Sequence, residues 1–204
     1  MMGSNKTFSE VVVGRRSIRV FKDTPVPRHA LESALTYATF APSAHNRQPW
    51  RFAVITDKEQ KVSLANSMGQ RLKRERVQDG DDQTVIEKDA AQSFTMLTKA
   101  GAIILLCLTM EDMDSYPDAP RNLHERHMAI QSVAMAGQNL LLGLQAEGLG
   151  ACWMCAPLFA PEEVAACFDL PTSWEPQGLI IVGYPLKPAL KKDHKSTEEL
   201  IKWL

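Results

Sequence analysis

The sequence predicts an α+β domain in three layers, with a sheet between two layers of helices. Helical and strand-like patterns follow one another without the regular strand–helix–strand alternation of a doubly wound sheet. The chain has 204 residues, of which 45% are hydrophobic and 23% charged, which suits one domain with a sizeable core. Because no repeat or low-complexity segment divides it, we expect a single domain over residues 1–204.

Apolar periodicity and capping patterns predict the elements of this domain. The helices are one from Thr7 to Gly14, one between Pro27 and Pro42, one from Asp57 to about Arg76, one over about 84–99, one over about 122–145 and one that begins at Pro161. The strands cover about residues 52–56, 101–109, 151–155 and 178–184. The basic end of the third helix, Arg71 to Arg76, is predicted to be a solvated face, and residues 77–83 are a candidate mobile lid.

The longest of these helices has a second half, residues 134–144, that is apolar on nearly every side. A helix that is apolar all round is buried all round. In a chain of this size we therefore expect it at the centre of the domain or of a subunit interface.

A basic segment, residues 15–19, follows the first helix and reads Arg-Arg-Ser-Ile-Arg. Its three guanidiniums and one hydroxyl suit a phosphate monoester, because the fork of an arginine matches the geometry of phosphate oxygens. The alternative is a solvated basic turn.

A polar loop, residues 42–48, lies between the second helix and the first strand and is held by Pro42 and Pro49. It carries a hydroxyl, an imidazole, two amides and a guanidinium, which suit a flat ligand with a polar edge. The alternative is an ordinary connection in which Asn46 and Gln48 cap backbone groups.

Charge and composition exclude several classes of partner. The formal net charge of −1 gives no basic footprint for nucleic acid and no polybasic patch for a membrane. The first residues contain no apolar run typical of a signal peptide, and the apolar run 101–110 is too short to span a bilayer. Four cysteines without a secretion signal suggest reduced thiols, so we expect a cytoplasmic protein.

Two motifs suggest a metal or redox site, but we expect neither. Cys152 and Cys155 have the spacing of a zinc or thioredoxin motif, yet no second cysteine pair accompanies them and they lie within a strand pattern. Core packing is the better interpretation. His124 and His127 are three residues apart rather than the four of a zinc-protease helix. We therefore predict no metal site.

Three motifs in order resemble the nitroreductase family of flavoproteins over nearly the whole chain. They are Arg15-Arg16-Ser17-Ile18-Arg19, Pro42-Ser43-x-x-Asn46-x-Gln48-Pro49-Trp50 and Gly148-Leu149-Gly150-x-x-Trp153. The second half is most similar to the reductase domain of the bifunctional enzyme that completes a deazaflavin coenzyme. The family resemblance implies a mostly antiparallel central sheet and an intertwined homodimer.

The resemblance also implies an FMN bound between the two chains. By similarity, Arg15, Arg16, Ser17 and Arg19 hold its phosphate, its ribityl chain and one polar edge, while Pro42, Ser43, Asn46 and Gln48 approach from the partner. The backbone of Leu149 and Gly150 lies by the edge of the ring. The tail, about 185–204, reaches the partner, with Lys192 and Lys195 as candidates for the phosphate. No acid–base side chain is expected to be obligatory, although His45 and Arg47 are candidates to face the substrate.

The implied activity is hydride transfer from NADH or NADPH, through FMN, to a small conjugated, quinone or nitroaromatic acceptor. Three alternatives remain open: a biosynthetic reductase of a deazaflavin-coenzyme precursor, a flavin-binding protein with little turnover, and an enzyme that fragments FMN to make the lower ligand of cobalamin.

Overall fold

A computed structural model describes residues 6–188 and 193–204 of the chain. The α-helices are α1 (Phe8–Gly14), α2 (Arg28–Thr39), α3 (Lys58–Gln78), α4 (Gln83–Thr98), α5 (Ala119–Ala146), α6 (Pro161–Cys167) and α7 (Thr197–Leu200). The strands are β1 (Trp50–Ile55), β2 (Ala102–Leu108), β3 (Gly150–Met154) and β4 (Glu175–Gly183), and short 3-10 turns cover Ala44–Asn46 and Ala156–Phe159. Within the described ranges, no helix is long and apolar enough to cross a membrane.

The four strands form one antiparallel sheet in the order β1-β2-β4-β3. Strand β2 is central and fully buried, as its unbroken apolar sequence predicts. Its side chains alternate between the two faces of the sheet, so Ile104 and Leu106 enter one core and Ile103 and Leu105 the other. The expected mostly antiparallel sheet is confirmed.

Helices cover both faces of this sheet and complete the three layers. Helices α2 and α5 enclose the first core, with Leu31, Ala34 and Leu140 among its buried residues. Helices α3, α4 and α6 enclose the second, with Leu64 and Leu97. The predicted α+β fold with a three-layer arrangement is therefore confirmed.

Several boundaries differ from those that the sequence predicts. Helix α5 begins at Ala119, three residues early, because Asp118 caps it and Pro120 suits its first turn. Residues 77, 78 and 83 are helical, so the candidate lid shrinks to the turn 79–82, which is anchored where the Asp82 carboxylate accepts from the amides of Thr84 and Val85.

The basic end of α3 is not the solvated face that we expect from its composition. Arg71 donates to Glu75 and to Glu163 of α6, and Arg76 donates to Asp81 and Asp89 at 2.6 Å. These partly buried ion pairs join α3 to α4 and α6. The sequence did not reveal the pairs with Glu163 and Asp89 because these partners lie on other helices.

Helix α5 approaches the sheet closely because Gly137 has no side chain. A Cβ atom at this position would lie 2.0 Å from Cζ3 of Trp153 and 2.8 Å from a methyl of Leu106. Gly178 of β4 makes room for the same indole, since its Cβ would lie 2.7 Å from the ring nitrogen. The indole of Trp153 is therefore held between α5 and β4.

We expect Gly137→Ala to lower the free energy of unfolding by about 1–3 kcal/mol, because the added methyl overpacks this contact. Gly69→Ala is the matched control: it lies in α3 with nothing within 4 Å of its added Cβ. That substitution should raise stability by about 0.5–1 kcal/mol through helix propensity. Denaturant titration measures both, and a Gly137→Ala variant as stable as the wild type would contradict the packing described.

Candidate functional site

The basic segment leaves α1 as extended chain and runs along the edge of β3. The amide of Ile18 donates to the carbonyl of Ala151 at 2.9 Å, and Ser17 forms a parallel bridge with Ala151. Gly150 permits this approach, because a Cβ there would lie 2.9 Å from Cβ of Ile18. The structure thus brings the backbone at Gly150 beside the basic segment, while the side chain of Leu149 is buried in the core.

The arginines of the basic segment do not all point the same way. Nη1 of Arg16 donates to the carbonyls of Val13 and Arg15, both at 2.7 Å. Arg19 lines a separate cleft against α4. Across residues 6–188 and 193–204, no hydrogen bond or ion pair engages the side chains of Arg15, Ser17 or Arg19. Those three side chains are available to a ligand, whereas part of the Arg16 guanidinium is occupied.

A cleft of about 400 Å³ beside α1 is lined by three cations, Arg16, Lys22 and Lys187. The two lysines meet there because Phe21 pairs with Pro185. The sequence alone did not predict that these two lysines share a cleft, since they lie 165 positions apart.

Only one of the two tail lysines that the resemblance favours falls among the described residues. Lys195 is exposed and is not among the residues that line this cleft. Lys192 lies outside the described residues. Among the described residues of the tail, Lys187 is the cation that lies beside the basic segment.

The polar loop has an uncommon backbone. His45, Asn46 and Gln48 have φ angles of 51°, 54° and 50°, in the left-handed region that non-glycine residues rarely adopt. The hydroxyl of Ser43 accepts from the amide of Gln48 at 3.0 Å, and Nε2 of Gln48 donates to Oδ1 of Asn46 at 3.3 Å. Strained loops of this kind cluster at binding sites. Ser43 braces the loop, and both amides are exposed together with Pro42.

The neighbouring arginine of this loop already has a partner. Arg47 forms an ion pair with Asp114, and Arg51 of β1 forms another with Asp112 at 2.9 Å. These pairs tie the polar loop to the connection between β2 and α5. Because its guanidinium is already paired with Asp114, Arg47 is a weaker candidate for facing a substrate than the sequence alone indicates.

The polar loop lies against the middle of α5, whereas the basic segment lies near the C-terminal end of the helix. The amide of Ala44 donates to the hydroxyl of Ser132 at 3.3 Å, whereas Arg16 and Gln145 line the same cleft. Ser132 and Gln145 are thirteen residues apart on α5, which corresponds to about 20 Å along a helix axis. One chain therefore does not bring the two predicted half-sites together.

Comparison with known proteins identifies the family. The model of the nitroreductase family matches residues 12–184. The chain belongs to this family. This match confirms the resemblance that the motifs suggest, and family membership makes the protein an oxidoreductase.

Individual relatives extend the comparison. An Archaeoglobus fulgidus relative, named for NADH dehydrogenase and NAD(P)H nitroreductase, is 30% identical over 147 residues, which are 71% of this chain and 65% of that protein. A 5,6-dimethylbenzimidazole synthase of Rhodospirillum rubrum is 26% identical over 84% of this chain and 78% of its own length. A BluB-like flavoprotein of Clostridium difficile 630 superposes with a TM-score of 0.81 at 22% identity, over 98% of this chain and 99% of its own. At that identity the superposition shows the fold.

The core packing expected for the Cys152-x-x-Cys155 motif is confirmed for Cys152 and wrong for Cys155. Cys152 is buried and Cys155 is exposed, and both thiols are free. Cys107 is fully buried in β2, and burial raises the pKa of its thiol to about 12. A buried thiol of this kind is inert, since the thiolate is the reactive form.

We expect iodoacetamide at pH 8 to label Cys155 rapidly in the native protein and to leave Cys107 unlabelled. A pKa near 12 leaves about one Cys107 in 10⁴ as thiolate at that pH, and burial also blocks access. Peptide mass spectrometry after timed labelling measures the rates, with urea-unfolded protein as the control in which both residues react. Equal native rates would contradict the burial of Cys107.

Proposed function

We propose that the protein is a homodimeric, FMN-dependent oxidoreductase that takes hydride from NADH or NADPH and delivers it to a small conjugated, quinone or nitroaromatic acceptor. One observation carries the proposal. The basic segment and the polar loop have the donors that a flavin requires, but they lie about 20 Å apart along α5 in one chain. A second chain, related by a twofold axis across α5, would bring the loop of one subunit to the basic segment of the other.

The surface of α5 supports this dimer. Ala134, Met135 and Gln138 are exposed within the half of the helix that the sequence predicts to be buried all round. Neighbouring helices add further exposed apolar side chains, namely Phe8, Val12 and Val13 of α1, Tyr37 of α2 and Phe40 just after it. Large apolar side chains exposed on neighbouring helices are typical of a surface that another chain covers.

The end of the chain also exposes apolar side chains, namely Ile201, Trp203 and Leu204. An exposed tryptophan and leucine at the end of an arm favour our proposal that the tail packs on the partner subunit.

The residues present fit FMN. Arg15 and Arg19 offer guanidiniums that no described residue pairs, and Ser17 of the same segment offers a hydroxyl. The amides of Asn46 and Gln48 can both donate and accept, which suits the alternating imide edge of a flavin. Gly150 keeps the backbone accessible at the edge of β3. We infer that Arg16, through its bonds to two carbonyls, mainly fixes the backbone of the segment.

FMN, when bound, would supply the two-electron chemistry that links a nicotinamide donor to a second substrate. The chain would then orient the ring, hold the phosphate and screen the site from water. The strained loop would present its amides in a fixed arrangement, so that little ordering is needed on binding. No acid–base side chain is assigned, because the residues around the proposed ring are guanidiniums, amides and a hydroxyl.

A second candidate function follows from the relative in Rhodospirillum rubrum, which is named a 5,6-dimethylbenzimidazole synthase. Under this alternative the bound flavin is consumed as a substrate rather than recycled. The two candidates share a binding site and differ in the fate of the flavin. Product analysis after reduction in the presence of oxygen separates them: intact FMN supports the oxidoreductase, and a benzimidazole product supports the alternative.

The visible spectrum of the purified protein tests the proposed activity. We expect a yellow protein, or one that becomes yellow with FMN, whose absorption bleaches under anaerobic NADH or NADPH and recovers with a quinone or a nitroaromatic compound. Yellow protein that does not bleach with either donor would support a flavin-binding protein with little turnover. A protein that does not bind FMN would contradict the proposal.

A matched pair of variants tests which arginines contact FMN. Arg19→Ala should weaken FMN binding by at least about tenfold, because a charge-assisted hydrogen bond contributes about 1.5–3 kcal/mol. Arg16→Ala removes the same charge from the same segment and should weaken FMN binding less. Flavin fluorescence titration measures both. A larger loss in Arg16→Ala would instead place the phosphate in the cleft with Lys22 and Lys187.

A further inference from the structure

Three side chains with metal-binding atoms converge beside the polar loop. They are His45 of the 3-10 turn, Asp114 of the connection between β2 and α5, and Glu125 of α5. One ligand atom from each lies within 4.8 Å of the other two. His45 is 69 positions before Asp114, and Asp114 is 11 positions before Glu125, so no local sequence motif reveals the cluster.

Glu125 is the residue that indicates a missing ligand. Its side chain is 3% exposed, and Oε2 is buried without a hydrogen-bond partner among the described residues. Leaving a buried carboxylate oxygen unpaired is costly, and such groups are normally paired or coordinate a metal. The unpaired carboxylate belongs to the same cluster as an imidazole and a second carboxylate.

The neighbouring cations do not neutralise this cluster. Arg126 follows Glu125 on α5, but both of its terminal nitrogens bind the carboxylate of Glu175, at 2.9 and 2.6 Å. Arg47 is paired with Asp114 through Oδ1, which leaves the other oxygen of that carboxylate for a further ligand. Two carboxylates and one guanidinium carry a net negative charge, which a divalent cation would neutralise.

We propose that His45, Asp114 and Glu125 bind a divalent first-row transition-metal ion, with Zn²⁺ as its probe. One imidazole nitrogen and two carboxylate oxygens are ligands that zinc accepts, and three protein ligands leave a position for water or substrate. Metal–ligand bonds of about 2.0–2.2 Å require ligand atoms closer together than 4.8 Å. The exposed side chain of His45 can make that adjustment, while Glu125 is fixed by burial.

This site is distinct from the proposed flavin contacts, although it lies beside them. A bound ion would fasten the left-handed turn at His45 to α5, next to the amides of Asn46 and Gln48. The proposal does not depend on FMN, because its ligands all belong to one chain and its test measures metal binding alone.

Isothermal titration of metal-stripped protein with ZnCl₂ tests the site, with any flavin left in place. We expect one Zn²⁺ per chain for the wild type and a much weaker response to MgCl₂, because magnesium prefers an all-oxygen octahedron. Glu125→Gln and His45→Ala should each weaken Zn²⁺ binding by at least about 100-fold, since even residues outside the ligand set change affinity by 10–100-fold.

Two control variants separate this site from other metal ligands. His124→Ala removes an exposed imidazole from α5, whose ring lies 6.4 Å from that of His127, and Asp112→Asn removes a carboxylate from the connection that carries Asp114. Both should bind Zn²⁺ like the wild type. Circular dichroism checks the fold of each variant. If Glu125→Gln does not fold, the test rests on His45→Ala, whose substitution is at an exposed residue. The proposal is overturned if the wild type does not bind Zn²⁺, or if His45→Ala binds it unchanged.

Discussion

The close packing of helix α5 on the sheet is the constraint on which the rest of the structure depends. Gly137 lets the helix approach the indole of Trp153, and Gly143 lets it approach α2, where an added Cβ would lie 3.0 Å from Cα of Ala34. The buried side of α5 therefore fixes its neighbours on both sides. The helix also positions the two polar regions, with the polar loop at Ser132 in its middle and the basic segment near Gln145 at its C-terminal end.

The two polar regions are preorganised in different ways. The basic segment is held as extended chain by β3 and by the bonds of Arg16 to the end of α1. The polar loop is held in a strained backbone by Ser43 and by ion pairs to the connection before α5. Strain of about 1–3 kcal/mol per residue persists only where surrounding contacts impose it. Both regions thus present fixed donors outward, as expected for half-sites that a second chain completes.

Local sequence predicted most of the fold and the two polar regions, because each of these features consists of consecutive residues. The unbroken apolar run of β2, the caps of the helices and the composition of residues 15–19 needed no tertiary information. The remaining features depend on contacts between distant residues. Lys22 meets Lys187 only through the pairing of Phe21 with Pro185. The ion pairs of α3 and the cluster around Glu125 likewise join elements that the sequence separates, and the predicted absence of a metal site rested on local motifs alone.

We propose that one flavin site requires residues of two chains, and mixed dimers distinguish this arrangement from a site within one chain. An Arg19→Ala chain and an Asn46→Ala/Gln48→Ala chain, each carrying a different affinity tag, are refolded together and the doubly tagged dimer is isolated. If the half-sites meet across the interface, this dimer has one intact site and binds about one FMN, while each parent dimer binds FMN poorly. If each site is built within one chain, both sites of the mixed dimer are defective and no FMN binding returns, which would contradict the account.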